Sequence, residues 1–240
     1  MSFLFPPGNP SRQMELFRYF NGFYYITDRK SSERSGSTVY GDCELVLGLG
    51  VKIIQYREKD LECLTRDAAV KLARELRELC HRYDALLIVN DYVDIAREVD
   101  ADGVHVGQKD LGAGTSRLLT EKSGGLAKLR RQLGRNKIIG VSCSTLDEAV
   151  SARSLGADYL GIGCIFHTRS KHDYRIVGIE GLKGIRQQVE LPIVALGGIT
   201  LENVGRVLPL CDSVAMISGA YQNGGLVPTL EHFWKIYHKK

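Results

Sequence analysis

The sequence predicts an α/β fold, a single (β/α)8 (TIM) barrel with an extra helix before the first strand. Three observations predict it. Short apolar runs suited to β-strands recur eight times, most are followed by an amphipathic stretch, and the 240 residues match the length that such barrels use for one domain. Alternation of strand and helix is the pattern of parallel βαβ units.

The predicted strands are apolar runs of four to six residues, and eight is the number that closes such a barrel. They are Phe23–Ile26, Val51–Tyr56, Leu86–Val89, Gly103–Val106, Ile138–Val141, Tyr159–Ile162, Ile193–Leu196 and Val214–Ile217.

Helices are predicted where apolar residues return every three or four positions. Thr145 with Glu148 three residues later fits a capping box. The stretch Tyr92–Val99 is short for a crossover helix, which keeps an open doubly wound sheet as the alternative architecture. The clearest helical segments are Leu64–Tyr83, Thr145–Leu155, Ile179–Gln188 and Leu201–Leu210.

The chain divides into an N-terminal extension, residues 1–22, and a barrel domain, residues 23–240. Within the extension, Ser11–Phe20 has the pattern of a helix that could close the bottom of the barrel. Ser31–Thr38 is predicted to be a polar, serine-rich loop, and Gly124–Asn136 carries basic residues that suit a solvated helix face. Neither an internal repeat nor a second domain is expected.

Composition excludes several classes of protein. With 44% hydrophobic and 25% charged residues the chain is expected to be globular, and its net charge of +4 is too small and dispersed to indicate nucleic-acid binding. The start, Met1–Pro10, lacks the features of a signal peptide, and no membrane span is expected. Assembly into a homo-oligomer is left open.

The cysteines are scattered without C-x-x-C spacing, which indicates neither a zinc site nor a disulfide framework. We therefore expect reduced thiols in a cytoplasmic protein. The six are Cys43, Cys63, Cys80, Cys143, Cys164 and Cys211.

Gln55, Arg57 and Lys59 occupy alternate positions at the end of the second predicted strand. A period of two directs all three side chains the same way, which at a carboxyl-terminal strand end is toward the barrel mouth. The planar guanidinium group of Arg and the compact ammonium group of Lys are both suited to binding the oxygens of a polyphosphate. The alternative is a solvated strand end in which Glu58 pairs with a neighbouring cation.

Asn90 and Asp91 follow the third strand, and Asp110 follows the fourth. Carboxylates on neighbouring strand ends could hold Mg2+, which binds few protein oxygens together with substrate phosphates. The alternatives are a helix cap for Asn90 or Asp91 and an exposed loop acid for Asp110.

Glycines end the last two strands, as Gly197-Gly198 and in Ser218-Gly219. These are the positions where barrels frequently bind phosphate through backbone N–H groups. The alternative is that the glycines only form tight turns.

The loop Phe166–Arg175 after strand six is dense in donors and cations, as are many lids and phosphate clamps, although a basic surface loop would have the same composition. Ser142 could donate to an oxyanion or could simply end strand five. His105 fits a packed, hydrogen-bonded histidine better than a catalytic one.

Taken in order, these motifs resemble those of thiamine-phosphate synthases, also called thiamine phosphate pyrophosphorylases. The similarity runs from about Tyr24 to Tyr221. The motifs are Gln55–Lys59, Asn90-Asp91, Asp102–Gln108, Thr168–Lys171, Ala195–Ile199 and Ile217-Ser218.

The resemblance implies a transferase of thiamine biosynthesis. Such an enzyme joins hydroxymethylpyrimidine diphosphate to a thiazole phosphate, with Mg2+ assisting, and yields thiamine phosphate and pyrophosphate. The thiazole nitrogen attacks as pyrophosphate leaves, so charge stabilisation is needed rather than a protein nucleophile.

The resemblance also assigns site residues. Within the first motif, Tyr56 and Glu58 are expected at the substrate as well. Asp91 and Asp110 would hold Mg2+. The pyrimidine diphosphate would be held by Gln55, Arg57, Lys59, Asn90, Ser142 and Lys171, of which Arg57, Lys59, Ser142 and Lys171 would be catalytic. The thiazole phosphate would be held by Thr168, Ser170, Gly198, Ile217 and Ser218.

Some positions depart from the family pattern. Gly163–Thr168 lacks the two prolines of the usual Gly-Pro-Ile-Phe-Pro-Thr, Ser170 replaces a Thr, and Tyr92 stands where Arg is common. The related thiazole tautomerases also tend to lack these prolines, but Ser144 stands where they have a characteristic histidine. Because fold alone does not fix function, a non-catalytic barrel that binds phosphate ligands and a phosphosugar isomerase stay open as well.

Overall fold

The computed structural model describes residues 10–58, 64–107, 125–168, 175–222 and 224–239. Within them, parallel strands form a closed barrel in the order β1 to β8, and β8 pairs with β1. The predicted (β/α)8 fold is therefore confirmed, and the open doubly wound sheet is wrong.

The strands lie within two residues of their predicted bounds. The largest differences are two residues each: β2 begins later than predicted, β5 ends later, and β8 ends earlier. The strands are β1 Gly22–Ile26, β2 Ile53–Tyr56, β3 Leu86–Asn90, β4 Gly103–Val106, β5 Ile138–Cys143, β6 Tyr159–Ile162, β7 Ile193–Leu196 and β8 Ser213–Ala215.

The α-helices lie between the strands and at both ends of the described chain. They are α1 Pro10–Phe17, α2 Arg29–Arg34, α3 Val39–Gly48, α4 Arg66–Arg82, α5 Val93–Glu98, α6 Gly125–Leu133, α7 Leu146–Ser154, α8 Gly178–Gln188 and α9 Leu226–Tyr237. None of the helices in the described ranges is long and apolar enough to cross a membrane.

Two predictions of local structure are wrong. The start of the predicted loop Ser31–Thr38 belongs to α2, because the N–H groups of Ser31 and Ser32 donate to the carbonyl oxygen of Asp28. The predicted helix Leu201–Leu210 is two 3₁₀ turns instead. Pro209 lacks the amide proton that an α-helix would need there.

The predicted cap of α7 is present. Glu148 N donates to Thr145 Oγ1 at 3.1 Å, and the Glu148 carboxylate accepts from Ser144 N at 2.6 Å rather than from Thr145. The two bonds satisfy amide groups that have no partner inside the helix.

The segment before β1 fills the lower end of the barrel, as expected for Ser11–Phe20. The Phe20 and Tyr159 ring centroids lie 4.6 Å apart, and Gln13 Nε2 donates to the Glu190 carbonyl at 3.1 Å. The barrel interior is formed by Leu16, Tyr19, Phe20, Tyr24, Ile26, Ile53, Leu86, Ile88, Ile138, Tyr159, Val194 and Ala215.

Three aspartate clamps fasten the lower ends of the strands. Each is an Asp just before an even-numbered strand that accepts the N–H of a residue in the strand before it and contacts an Arg. The sets are Asp102 with Leu87 and Arg77, Asp158 with Ile139 and Arg130, and Asp212 with Ile193 and Arg186. The N–H···O distances are 2.8, 2.8 and 2.7 Å. The clamps stabilise the barrel at the end opposite the strand C-termini.

Candidate active site

A cavity of about 400 Å³ lies where the strands end. Nine of the residues that the resemblance assigns to the substrates or to Mg2+ line it, so residues far apart in the chain are brought to one site. They are Gln55, Arg57, Asn90, Asp91, Ser142, Thr168, Gly198, Ile217 and Ser218. Lys59, Asp110, Ser170 and Lys171 lie outside the described residues.

Tyr56 and Glu58 are placed away from the cavity lining. Tyr56 packs in the layer between sheet and helices, because alternate residues of a strand face opposite sides. Glu58 is buried and its carboxylate accepts from Arg29 Nε at 3.1 Å, which raises the pKa of Arg29. The structure therefore does not bring these two residues to the substrate cavity, contrary to what the resemblance implies.

The end of β2 is fixed by Thr27. Arg57 N donates to Thr27 Oγ1 at 2.9 Å, and Thr27 N donates to the carbonyl oxygen of Gln55 at 3.0 Å. These bonds hold the backbone of Arg57 where its side chain lines the cavity.

Asp91 occupies an unusual backbone conformation. Its φ of +62° lies in the left-handed region, which costs a non-glycine residue about 1–3 kcal/mol. Asp91 N donates to the His105 carbonyl at 2.9 Å, and Asn90 Nδ2 donates to Asp91 Oδ2 at 2.5 Å. The backbone bond across β3 and β4 holds the carboxylate in the cavity wall.

The donor set at this point suits Mg2+. A carboxylate beside an amide oxygen, open to a cavity, matches an ion that takes few protein ligands and completes its shell with phosphate and water. The described residues contain no group of three His, Cys, Asp or Glu that would form a protein-only cage. Asp110, the second expected ligand, lies outside those residues.

The turn after β7 requires glycine. Gly197 and Gly198 have φ of +93° and +66°, and a Cβ on Gly198 would lie 2.3 Å from the carbonyl oxygen of His167. Asn203, which the sequence analysis missed, holds the turn: Nδ2 donates to Gly198 O and Oδ1 accepts from Thr200 N, both at 3.0 Å.

The turn after β8 is anchored by a tyrosine. Ser218–Tyr221 forms a 3₁₀ turn, and the Tyr221 hydroxyl donates to Asp42 Oδ2 at 2.6 Å. Asp42 is buried on α3, and the Tyr25 hydroxyl contacts that of Tyr221 at 2.6 Å. Burial raises the pKa of Tyr221, so its hydroxyl keeps its proton as a donor. Neither Tyr221 nor Asp42 was identified from the sequence as a residue that positions the site.

A line of hydrogen bonds crosses the barrel interior at the cavity wall, and all five of its side chains line the cavity. Gln55 Nε2 lies 2.9 Å from the Tyr24 hydroxyl, which is 2.8 Å from that of Tyr159. The Tyr159 hydroxyl lies 2.9 Å from His105 Nδ1, and His105 Nε2 lies 2.8 Å from Ser142 Oγ. We call these five side chains the interior relay.

Burial determines the charge state of the relay. It lowers the pKa of His105 to about 4 and raises the pKa values of Tyr24 and Tyr159, so all three are neutral at neutral pH. His105 is the hydrogen-bonded buried histidine that the sequence predicted. The two tyrosines were missed because they lie inside apolar strand patterns.

Two strand glycines make room for the relay. A Cβ on Gly140 would lie 2.1 Å from the Tyr159 ring, and one on Gly161 would lie 2.8 Å from His105 Cε1. A glycine inside a strand commonly marks such a close approach. This is the sequence signal that could have indicated bulky residues inside the barrel.

The chain resembles proteins of known activity over most of its length. The family model for thiamine monophosphate synthase matches residues 23–220. The thiamine-phosphate synthase of Clostridium acetobutylicum is 38% identical over 197 residues, covering 82% of this chain and 85% of that protein. The thiamine-phosphate synthase of Bacillus cereus strain ATCC 14579 is 45% identical over 172 residues, covering 70% and 72%. The structure of thiamine phosphate pyrophosphorylase from Pyrococcus furiosus is 32% identical, with a TM-score of 0.74 over 93% of this chain and 98% of that one.

Proposed function

Because the chain belongs to the thiamine monophosphate synthase family, and is thus a transferase, we propose that its cavity joins hydroxymethylpyrimidine diphosphate to a thiazole phosphate. The products are thiamine phosphate and pyrophosphate. One observation carries the proposal: nine residues of the expected site, from separate stretches of the chain, line a single cavity.

Arg57, Asn90 and Ser142 face the diphosphate in this proposal. As the bond to pyrophosphate breaks, negative charge gathers on the leaving oxygens, and donors already in place stabilise that charge. Arg57 can offer two parallel N–H groups, while Asn90 and Ser142 add neutral donors. Lys59 and Lys171, outside the described residues, complete the set by family resemblance.

Asp91 would hold Mg2+, with Asp110 as the second ligand by family resemblance. When bound, the ion supplies positive charge that offsets the charge of the diphosphate. The bond from Asn90 Nδ2 keeps the Asp91 carboxylate oriented.

The thiazole phosphate fits the turns after β7 and β8. Gly198 and Ser218 line the cavity there, and Thr168 lies beside them on the loop after β6. Backbone N–H groups at such turns bind phosphate oxygens without a side-chain charge. Ser170 and Ile217 belong to the same subsite by resemblance.

The tautomerase alternative has less support in the cavity. Ser144, at the position of the tautomerase histidine, donates through Oγ to the carbonyl oxygen of Gly163 at 3.1 Å. This bond fastens the loop after β6 to the end of β5, which is a structural task.

The proposal is tested by incubating the purified protein with both phosphorylated precursors, with and without Mg2+, and measuring thiamine phosphate. Product in the complete mixture, and none when either precursor is omitted, is the expected result. Tight binding of both precursors without product would make the chain a non-catalytic barrel. Aromatisation of the thiazole precursor in place of condensation would make it a tautomerase.

A further inference from the structure

The five side chains of the interior relay all line the cavity. Gln55 and Ser142 are its ends, and Tyr24, Tyr159 and His105 lie between them. These three middle side chains are at most 7% exposed. Every link is 2.8–2.9 Å long, which is the distance range of hydrogen bonds.

The direction of the relay follows from its Gln55 end. An amide nitrogen only donates, so the Tyr24 oxygen accepts from Gln55. Tyr24 then has one proton to give, and among the described residues its hydroxyl has one other partner, Tyr159.

The order at Tyr159 follows from that at Tyr24. The Tyr159 oxygen accepts from Tyr24, so its own proton goes to His105 Nδ1. The neutral imidazole then carries its single proton on Nε2, and this N–H donates to Ser142 Oγ.

The reverse order is disfavoured by burial. If donors and acceptors were exchanged, with Ser142 donating to His105, the Tyr24 oxygen would accept hydrogen bonds from both Gln55 and Tyr159. With the Gln55 amide oriented as in this structure, the Tyr24 proton would then have no acceptor within the described ranges. A buried donor without a partner shifts the balance toward the forward order by roughly tenfold or more.

We propose that Tyr24, Tyr159 and His105 are positioning residues that make Ser142 an acceptor from His105 and therefore a donor toward the cavity. Building on the proposed function, the group that receives the Ser142 proton in a hydrogen bond is the leaving diphosphate. A serine whose oxygen accepts from an imidazole N–H is polarised toward a growing negative charge, so the relay acts in the transition state more than in the ground state.

The same line explains why the barrel keeps polar groups in its interior. Apolar replacements would fill the space, but they would remove the His105 ring nitrogen that contacts Ser142 Oγ. Gly140 and Gly161 supply the room that the Tyr159 and His105 rings occupy.

The first test needs no activity. In protein labelled with ¹⁵N-histidine, the spectrum should show His105 with an unprotonated Nδ1 and a protonated Nε2. The sequence has six histidines, and the signal absent from His105→Gln identifies the residue. Protonation on Nδ1 would overturn the proposal, whether or not the protein makes thiamine phosphate.

The second test is a double-mutant cycle of Tyr159→Phe and Ser142→Ala. Tyr159→Phe should lower kcat roughly tenfold and leave both KM values within about twofold, because the lost hydrogen bonds act on a group that matters in the transition state. In the Ser142→Ala background it should have little further effect, because the residue through which it acts is gone.

The control is Tyr19→Phe, which removes a tyrosine hydroxyl near Asp84 at the lower end of the barrel. This change should leave kcat unaltered both in the wild type and in Ser142→Ala. Tyr24→Phe replaces Tyr159→Phe if the latter does not fold. If the tyrosine change lowers kcat by the same factor in the wild type and in Ser142→Ala, the proposal is overturned. A tyrosine whose role is only structural would give this result, because its effect would be independent of Ser142.

Discussion

At the scale of single residues, Arg57 and Ser218 are proposed to contact phosphate groups that behave differently during the reaction. The diphosphate near Arg57 gains negative charge as its bond breaks, whereas the phosphate near Ser218 keeps the same charge. Interactions that strengthen in the transition state affect kcat, and those present throughout affect KM.

Arg57→Ala should lower kcat by at least roughly a hundredfold, as does the loss of one oxyanion donor. Ser218→Ala should raise KM for the thiazole phosphate about fivefold, which corresponds to one neutral hydrogen bond. Steady-state kinetics with each substrate varied in turn distinguishes them. If Ser218→Ala lowers kcat as much as Arg57→Ala does and leaves KM for the thiazole phosphate unchanged, the two phosphates are assigned to the wrong residues.

Asp91 combines a backbone constraint with a charge. Asp91→Asn keeps the size of the side chain and a residue type that tolerates the left-handed region, so the fold should be retained. Turnover should fall by orders of magnitude and require more Mg2+, because a ligand charge is lost. Turnover measured against Mg2+ concentration checks this, and a wild-type curve would remove Asp91 from the metal site.

His105 makes stability depend on pH. Its folded pKa of about 4 lies below the ordinary value of 6.5, so between these values the unfolded chain binds a proton that the folded chain does not. Its contribution is therefore complete above pH 6.5 and decreases as the pH falls toward 4, by roughly 1 kcal/mol per pH unit. Urea unfolding of the wild type and of His105→Gln from pH 7 to 4.5 should show a shallower slope for the variant. Identical slopes would contradict the assignment.

At the scale of elements, the turn after β8 depends on helix α3. The turn carries Ser218, and its last residue, Tyr221, is held by buried Asp42. The helix thus holds the turn at which we propose that the thiazole phosphate binds.

Tyr221→Phe should raise KM for the thiazole phosphate several-fold with little change in kcat or in KM for the pyrimidine, because only the turn loses its anchor. Tyr40→Phe is the matched control, since that hydroxyl on α3 accepts from Arg82 at the surface. If both variants have the same kinetics as the wild type, the anchor does not position the site.

Strands were predicted more accurately than the connections between them. A strand buried on both faces appears in the sequence as a continuous apolar run, and eight such runs were enough to predict the barrel. The 3₁₀ turns within 201–210 were missed because apolar spacing there resembles a helix while Pro209 prevents one. The start of α2 was missed because its first bonds involve Asp28, whose role depends on backbone geometry.

Part of the candidate site could also be predicted from the periodicity of the strands. Alternation along β2 correctly separates Gln55 and Arg57 from the other face, and it would also have excluded Tyr56 and Glu58. The relay and Asn203 could not be found this way, because their contacts join residues whose spacing along the chain follows no period.

At the scale of the whole molecule, the aspartate clamps separate stability from activity. They lie at the lower end of the barrel, and the cavity lies at the upper end. Asp158 is 5% exposed and contacts Arg130 Nη2 at 2.6 Å, so loss of the carboxylate would leave the largely buried Arg130 without its counter-charge and the Ile139 amide without its acceptor.

Asp158→Ala should lower the free energy of unfolding by about 3–5 kcal/mol, the cost of breaking a buried ion pair from one side. The fraction that remains folded should keep the wild-type kcat. Denaturant unfolding and active-site-normalised kinetics measure the two effects. A matched change at the surface, Asp94→Ala beside Arg66, should cost at most about 1 kcal/mol.

The segment before β1 gives the barrel a closed floor. Leu16, Tyr19 and Phe20 fill the lower interior, so within the described chain the cavity communicates with solvent at its upper end. If the proposed reaction takes place there, reactants, products and displaced water would share this opening. We then expect ordered binding, in which the substrate that lies deepest, beside Gln55, enters before its co-substrate.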